Sequence, residues 1–295
     1  MTAPRLFDHA LLDARRRRAL AGAHAGAEFL LATVADDVID RLSAVNRRFA
    51  LAIDVGTPLP LLAERALSTG QIDALVRIDR LTETGPDIAG DLERLPLAPA
   101  SFDLALSALA LHWVDDLPGT LAQIRDTMKP DGLLLAALLG GETLFELRQS
   151  LAAAEAEITG GASPRVAPFT ELRAAGALLQ RAGFALPVID QDRRVVRYDS
   201  ALDLMRDLRA MGATNVLHER SRRPLTRAIL LRTAEIYAER FSDPDRRVRA
   251  TFDVISLSGW APHASQQKPL RPGSAKARLA DALGAVEKPA GEKAG

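Results

Sequence analysis

The run LLLAALL at residues 133–139 constrains the fold more than any other stretch of the chain. Seven consecutive apolar residues are typical of a strand that is buried on both faces, as in a parallel sheet. Shorter apolar runs at 50–55, 73–78 and 101–107 precede it and alternate with segments of helical spacing. We therefore predict an α/β fold in which helices cover a parallel sheet on both sides.

The other elements follow from the same periodicities. Residues 8–45 are predicted to form two helices with a break near Gly22 and Gly26, and KPDG at 129–132 is predicted to be a tight turn. Further elements are predicted as helices at 59–67, 117–128, 142–158, 169–182, 199–211 and 224–241, and as strands at 184–198 and 249–258.

These elements predict three parts of the chain. Residues 1–45 form N-terminal helices, residues 46–262 form the main domain, and residues 263–295 form a tail that is partly disordered. Within the main domain, two segments at about 140–170 and 198–242 are predicted to form a lid and a substrate wall.

Charge and composition narrow the function classes. The chain has 295 residues, 38 basic and 38 acidic side chains and 4% aromatic residues, a balance that does not favour binding to nucleic acid. It contains no cysteine, which excludes disulfides, thiolate metal sites and cysteine nucleophiles. No apolar run reaches the length of a membrane span, and the N-terminus lacks the apolar core of a secretory signal. We expect a cytoplasmic protein without a transmembrane segment.

Three acids are predicted to lie at the carboxyl ends of the strands, where open α/β sheets bind small ligands. Asp54 ends the first strand, two residues before Gly56, and Asp79 ends the second strand. Asp91 lies in the connection to the next strand, followed by Leu92. A carboxylate can accept hydrogen bonds from two neighbouring ribose hydroxyls. Each acid alone could instead be a cap or turn residue, but together they favour a nucleoside cofactor.

Residues 89–141 resemble class I S-adenosylmethionine-dependent methyltransferases, and in particular the biotin-pathway malonyl-carrier-protein methyltransferases. The resemblance depends on the elements DLERLP, SFD, ALHWVDD and KPDGLLL. It implies a Rossmann-like sheet of seven strands, the last of them antiparallel, with a helical N-terminal segment and a helical lid insertion before the last strand. It also implies S-adenosylmethionine as the cofactor.

Other segments resemble the respiratory complex I assembly factor 5 family. They are GGETLFELRQSL at 140–151, GGASPRVAPF at 160–169, MGATN at 211–215 and GWAPHASQQKP at 259–269. This resemblance extends from about residue 7 to about residue 275 and implies a protein substrate, a complex I subunit, as the partner. An arginine hydroxylase activity has been assigned in that family despite the methyltransferase fold.

The resemblance and the strand positions together assign cofactor contacts. Asp54 and Gly56 would hold the methionine end, and Asp79 would bind the ribose. The other predicted cofactor contacts are Asp91 and Leu92 at the adenine, with the backbone around Ser107 and Leu109 alongside.

The loop after the first strand departs from the family pattern, which is an acid followed by glycines at alternate positions. Asp54 and Gly56 fit that pattern, but Pro58 and Pro60 occupy the later positions. Proline fixes φ and removes an N–H, although it is well suited to the start of a helix. We therefore expect a loop that descends from a cofactor site, with its acid end intact and its glycine end altered.

Three activities stay open from the sequence: methyl transfer, hydroxylation of a protein arginine, and assembly without catalysis. A non-haem iron hydroxylase needs two histidines and a carboxylate. None of the five histidines is part of an H-x-D or H-x-E motif, so no metal site is predicted. The HE pair at residues 218–219 is expected to be a solvated turn.

Several residues are candidate substrate contacts, each with a structural alternative. They are His112 and Trp113, which could pack against a helix start, Trp260 and His263, which could cap the sheet, and Arg165, which could be a solvated arginine. The arginine run at residues 15–18 is expected to be a solvated helix face. Its functional alternative is contact with an acidic partner or with an anionic membrane surface.

Overall fold

The computed structural model describes residues 5–22 and 24–267. The chain divides into the units Met1–Pro262 and His263–Gly295, and the fold below is that of the first unit. The predicted tail beyond residue 267 lies outside the described residues, and the three predicted parts stay a prediction. Within the described ranges, no helix combines the length and the apolar character needed to cross a membrane.

One sheet of seven strands organises the first unit, in the order β3-β2-β1-β4-β5-β7-β6. The strands are β1 Phe49–Val55, β2 Ile72–Asp79, β3 Ile88–Ala89, β4 Phe102–Ala108, β5 Met128–Leu139, β6 Ala185–Tyr198 and β7 Val248–Trp260. The strands from β1 to β5 are parallel, whereas β7 is antiparallel to both β5 and β6. The predicted α/β sheet with an antiparallel last strand is confirmed.

Eight α-helices surround this sheet in the described part of the chain. They are α1 His9–Gly22, α2 Phe29–Ser43, α3 Leu61–Ser68, α4 Leu117–Thr127, α5 Phe145–Thr159, α6 Leu172–Arg181, α7 Ala201–Ala210 and α8 Arg227–Phe241. Helices α7 and α8 lie between β6 and β7, which confirms the helical insertion before the last strand. Short β3 was missing from the strands predicted by periodicity, because two residues carry no pattern.

The run at residues 133–139 shows why this sheet is buried on both faces. Leu133, Leu135, Ala137 and Leu139 belong to a core shared with α2, α3, α5 and α7. Leu134, Ala136 and Leu138 belong to a second core shared with α4 and α6. Because successive strand residues point to opposite faces, an unbroken apolar run fills both cores at once.

The segment KPDG is part of β5, so the tight turn predicted there is wrong. It forms an irregularity in the strand, where the register with β4 shifts between Phe102 and Leu104. Asp131 has a φ of 62° at this point. Its backbone N–H donates to the Ala261 carbonyl at 3.1 Å, which ties the irregular segment to the chain just after β7. The proline and glycine of KPDG thus give rise to an irregularity within β5 instead of a turn.

Candidate functional site

The chain turns sharply at Gly56, immediately after β1. Gly56 has a φ of 77°, and its N–H donates to the Ile78 carbonyl of β2 at 2.8 Å. A Cβ at this position would lie 2.5 Å from Leu92 Cδ1 and 3.1 Å from Ala110 Cβ. Glycine is therefore required both for the backbone angle and for the close approach of its neighbours.

Asp54 faces the interior from the end of β1. It is 1% exposed, and the Thr57 hydroxyl donates to its Oδ1 while accepting from the Ala108 N–H at 3.0 Å. Arg77 Nε lies 3.6 Å from Asp54 Oδ2. Burial raises the pKa of Asp54 to about 7, against the opposing effects of Thr57 and Arg77. Asp54 thus holds the loop after β1 from behind.

Asp79, at the end of β2, is also 1% exposed but has four donors around it. Its Oδ1 accepts from Arg16 Nη1 at 2.9 Å and from the Arg80 N–H at 2.7 Å. Its Oδ2 accepts from Arg16 Nη2 at 2.6 Å and from the Thr84 hydroxyl at 3.1 Å. A bidentate guanidinium from α1 therefore covers this carboxylate.

The two prolines of the loop have distinct positions. Pro60 precedes α3 with a φ of −68°, the angle that its ring enforces, so it starts the helix without strain. Pro58 faces the cavity, and its carbonyl accepts from Arg16 Nη2 at 3.4 Å. The loop thus keeps a helix start beside the cavity without the later glycines.

A cavity of about 400 Å³ opens at the carboxyl ends of β1, β2 and β4. Six of the predicted site residues line it, namely Gly56, Asp91, Leu92, Leu109, His112 and Trp113. Charged side chains that line it include Arg16 and Arg80. Ser107 is fully buried, with its hydroxyl donating to the Val55 carbonyl at 2.7 Å. Ser107, like Asp54, supports the wall from behind.

Arg80, just after β2, pairs with an acid of the connection after β3 and with an acid of α1. Its Nη1 lies 3.2 Å from Asp91 Oδ1, and its Nη2 lies 3.4 Å from Asp13 Oδ2 on α1. Asp91 Oδ1 also accepts from the Glu93 N–H at 3.1 Å. Asp91 remains 45% exposed at its side chain, so it can contact a ligand while it is held by Arg80.

His112 forms part of the cavity wall after β4. It is 8% exposed, and its Nδ1 has no hydrogen-bond partner among the described residues. Burial lowers the pKa of His112 to about 3 and keeps the ring neutral near pH 7. Its ring lies 5.0 Å from that of Trp113 and 5.7 Å from that of Phe169, measured between centroids. The ring is placed by packing, and its unpartnered Nδ1 is buried within the wall.

Other predicted substrate contacts do not join this cavity. Arg165 pairs with Glu155 on α5, with its Nε 3.0 Å from Glu155 Oε1, so the solvated alternative is wrong. Its role as a substrate contact stays a prediction. Trp260 is opposite Leu133, near the start of β5, and so at the sheet edge away from the cavity. His263 belongs to the second unit, where its Nδ1 lies 2.7 Å from the Ser265 hydroxyl.

The arginine run on α1 was predicted to be solvated, which is wrong for two of its members. Arg16 is bound to Asp79, and Arg15 donates to the Asn215 carbonyl. Arg17 and Arg18 are exposed, as predicted. The local sequence does not show which of these four arginines is buried, because the partner of Arg16, the Asp79 carboxylate, lies 63 residues away along the chain.

One group of side chains could hold a metal ion in the described part of the protein. Single ligand atoms of His9, Glu93 and Asp115 all lie within 4.8 Å of one another. Asp115 Oδ1 accepts from the N–H groups of Leu6 and Phe7, at 2.8 and 2.9 Å. Glu93 likewise accepts from the Asp116 N–H at 3.0 Å. These hydrogen bonds alone give both carboxylates a structural role: Asp115 holds the N-terminal segment, and Glu93 holds the chain at Asp115 and Asp116.

Comparison with known proteins places the chain in a family. Residues 56–136 match a family model described as a methyltransferase domain. The protein called "Arginine-hydroxylase NDUFAF5, mitochondrial" in Danio rerio is 41% identical over 264 residues, which cover 86% of this chain and 82% of that protein. The chain belongs to the NDUFAF5 family. The Homo sapiens protein of the same name is 38% identical over 258 residues, or 84% of this chain and 74% of that protein.

Other similarities of this NDUFAF5 family member concern the methyltransferase fold. A malonyl-[acyl-carrier protein] O-methyltransferase of Xylella fastidiosa (strain M23) is 41% identical over 175 residues, 59% of this chain and 57% of that enzyme. The crystal structure of the YcgJ protein from Bacillus subtilis superimposes with a TM-score of 0.52 and 13% identity, covering 77% of this chain and 98% of that one. A Bacillus halodurans C-125 protein assigned as a methyltransferase gives a TM-score of 0.54, with 13% identity over 78% of this chain and all of that one.

Proposed function

We propose that this protein binds S-adenosylmethionine in the cavity beside Gly56 and methylates a protein substrate, a subunit of respiratory complex I. The grouping of Gly56, Asp79 and Asp91 around the carboxyl ends of parallel strands supports this most. That edge is where sheets of this type bind nucleotides. The complex I partner follows from the family resemblance.

The residues present fit the cofactor in chemistry and in shape. Gly56 allows the tight turn beside the cavity, where a Cβ would clash with Leu92. Asp79, which Arg16 holds in this structure, has the carboxylate type that can accept hydrogen bonds from ribose hydroxyls once Arg16 is released. Asp91 and Leu92 would bind the adenine, with Leu109 alongside. Asp54 and Ser107 act indirectly, because their buried side chains hold the loop and the strand that form the wall.

The demand on the protein is mainly alignment. When bound, this cofactor supplies a methyl group that is already activated on a sulfonium, so a substrate nucleophile has to be held in line with it. His112 is neutral, and its ring forms part of the cavity wall, while its Nδ1 is buried without a hydrogen-bond partner among the described residues. Trp113, next to it, adds an apolar surface to the same wall.

The experiment that tests the proposal is mass spectrometry of the product. The full chain is incubated with S-adenosylmethionine and a complex I subunit, and a parallel sample omits the cofactor. We expect the subunit to gain the mass of a methyl group only with the cofactor. An unmodified subunit, together with no binding of the cofactor, would instead favour an assembly protein without catalysis.

Arginine hydroxylation is the second candidate, and two observations favour it. The NDUFAF5 relatives carry that activity in their names, and His9, Glu93 and Asp115 are close enough to share a metal ion. Gain of an oxygen atom by the subunit, with stoichiometric iron in protein purified without chelator, would replace the methyltransferase proposal. The relatives are named as mitochondrial, and cytoplasmic location stays a prediction for this chain.

A further inference from the structure

The carboxylate of Asp79 has no acceptor capacity left for a ligand in the described structure. Each of its oxygens accepts two hydrogen bonds, and Arg16 supplies one to each. A carboxylate offers about four lone-pair sites in all. A ribose diol needs two of those sites. Two of the four are used by donors just after β2, the Arg80 N–H and the Thr84 hydroxyl, and the other two are used by the Arg16 guanidinium from α1.

Arg16 belongs to a helix face that forms one wall of the cavity. Five residues on this face line it, at the spacing of successive helical turns: His9, Leu12, Arg16, Ala19 and Leu20. The helix lies directly against the chain after α7, because a Cβ on Gly212 would be 3.2 Å from Arg16 Cα. Movement of α1 would therefore change the size of the cavity.

Helix α1 is held mainly by polar contacts. Leu12 is its one buried residue, whereas α2 has six. The attachments of α1 to the rest of the protein include Arg16 to Asp79, Arg80 to Asp13, and Arg15 to the Asn215 carbonyl. An element with few buried apolar contacts opens at low free-energy cost.

We propose that Arg16 competes with the ribose hydroxyls of the cofactor for Asp79, so that cofactor binding requires α1 to release this carboxylate. This inference rests on the proposed function. Arg16 is thus a residue that sets cofactor affinity, and α1 is a gate over the ribose end of the cavity. The apparent affinity is lowered by the fraction of molecules in which Arg16 holds Asp79.

The test compares the affinity for S-adenosylhomocysteine of three full-length proteins by isothermal titration calorimetry. In Arg16→Gln the carboxylate is freed, and we expect binding about tenfold tighter than in the unmodified protein. Arg17→Gln is the matched control on the same helix, because Arg17 pairs with Glu83 at the exposed surface, and its affinity should be unchanged. Equal or weaker binding by Arg16→Gln would overturn the gate.

A second measurement needs no variant. Hydrogen exchange of the amides in residues 9–22 should become faster when S-adenosylhomocysteine is added, because Arg16 loses its partner. Unchanged or slower exchange at saturation would contradict the inference even if the affinities differ. Binding by the unmodified protein with no gain in Arg16→Gln would remove the gate and keep the proposed function. No binding by either protein would remove both.

Discussion

Strands β1 and β2 both carry a buried aspartate at their carboxyl ends, but the two carboxylates differ in how many hydrogen bonds they accept. Asp54 and Asp79 are each 1% exposed on neighbouring parallel strands. Asp54 is bound by groups from its own loop and from β2, and one of its oxygens has no hydrogen bond among the described residues. Asp79 has four donors, two of them from α1. Equal burial therefore hides different surroundings: Asp54 holds the loop after β1, whereas Asp79 is covered by Arg16, which itself lines the cavity. The proposed cofactor site puts the ribose at Asp79.

The largest expected difference is in folding stability. Asp54→Ala leaves Arg77 buried beside an empty site, and loss of one partner of a buried pair costs about 3 kcal/mol. Asp79→Ala should cost less, about 2 kcal/mol, because Arg16 can turn towards solvent while the Arg80 N–H and the Thr84 hydroxyl lose their acceptor. Denaturant unfolding of both variants measures the two losses. Equal losses would mean that both acids belong to one structural network.

The turn after β1 should tolerate change less than a turn at the surface. Gly56→Ala combines left-handed strain with displacement of Leu92, and we expect a loss of about 2 kcal/mol. Gly160→Ala is the matched control, since Gly160 has a φ of 76° with nothing near its missing Cβ. That variant should lose about 1 kcal/mol. If the two melting curves shift equally, the contact with Leu92 has no energetic weight.

The pH dependence of stability should reveal the raised pKa of Asp54. Burial raises the pKa of Asp54 to about 7, above its unfolded value of 3.8, so the folded state holds the proton to higher pH. Stability from this group is complete below the unfolded pKa and falls as pH rises to about 7, by about 1 kcal/mol between about pH 5 and about pH 6. Asp54→Asn should lack this slope. The same slope in that variant would assign it to another group.

The smallest expected response is that of the NMR signals of His112, which follows β4, to a change in pH. Burial lowers the pKa of His112 to about 3, so its NMR signals should stay unchanged from about pH 8 down to about pH 4. Because this pKa lies below the unfolded value of 6.5, stability from His112 is present at neutral pH and is lost as pH falls towards about 3. A change in the His112 NMR signals near pH 6.5, the unfolded pKa, would show that water reaches the ring and that the cavity wall after β4 is solvated.

The elements that sequence predicted well depend on local periodicity. The buried β5 and the acid that ends β2 both follow from residues close in the chain. The errors have long-range causes. Arg16 and Arg165 look like surface arginines until their partners, Asp79 and Glu155, are placed by the fold. Trp260, a predicted substrate contact, does not line the cavity, because an antiparallel strand ends at the opposite end of the sheet from its parallel neighbours.

Titration of S-adenosylhomocysteine into Asp79→Ala and Asp54→Asn tests the central claim most directly. Two lost hydrogen bonds to a charged group cost about 3 kcal/mol, and release of Arg16 returns about tenfold in affinity. We predict that Asp79→Ala binds at least about tenfold more weakly than the unmodified protein and that Asp54→Asn stays within about threefold. Unchanged affinity in Asp79→Ala, or a large loss confined to Asp54→Asn, would contradict the assignment of the ligand side to β2.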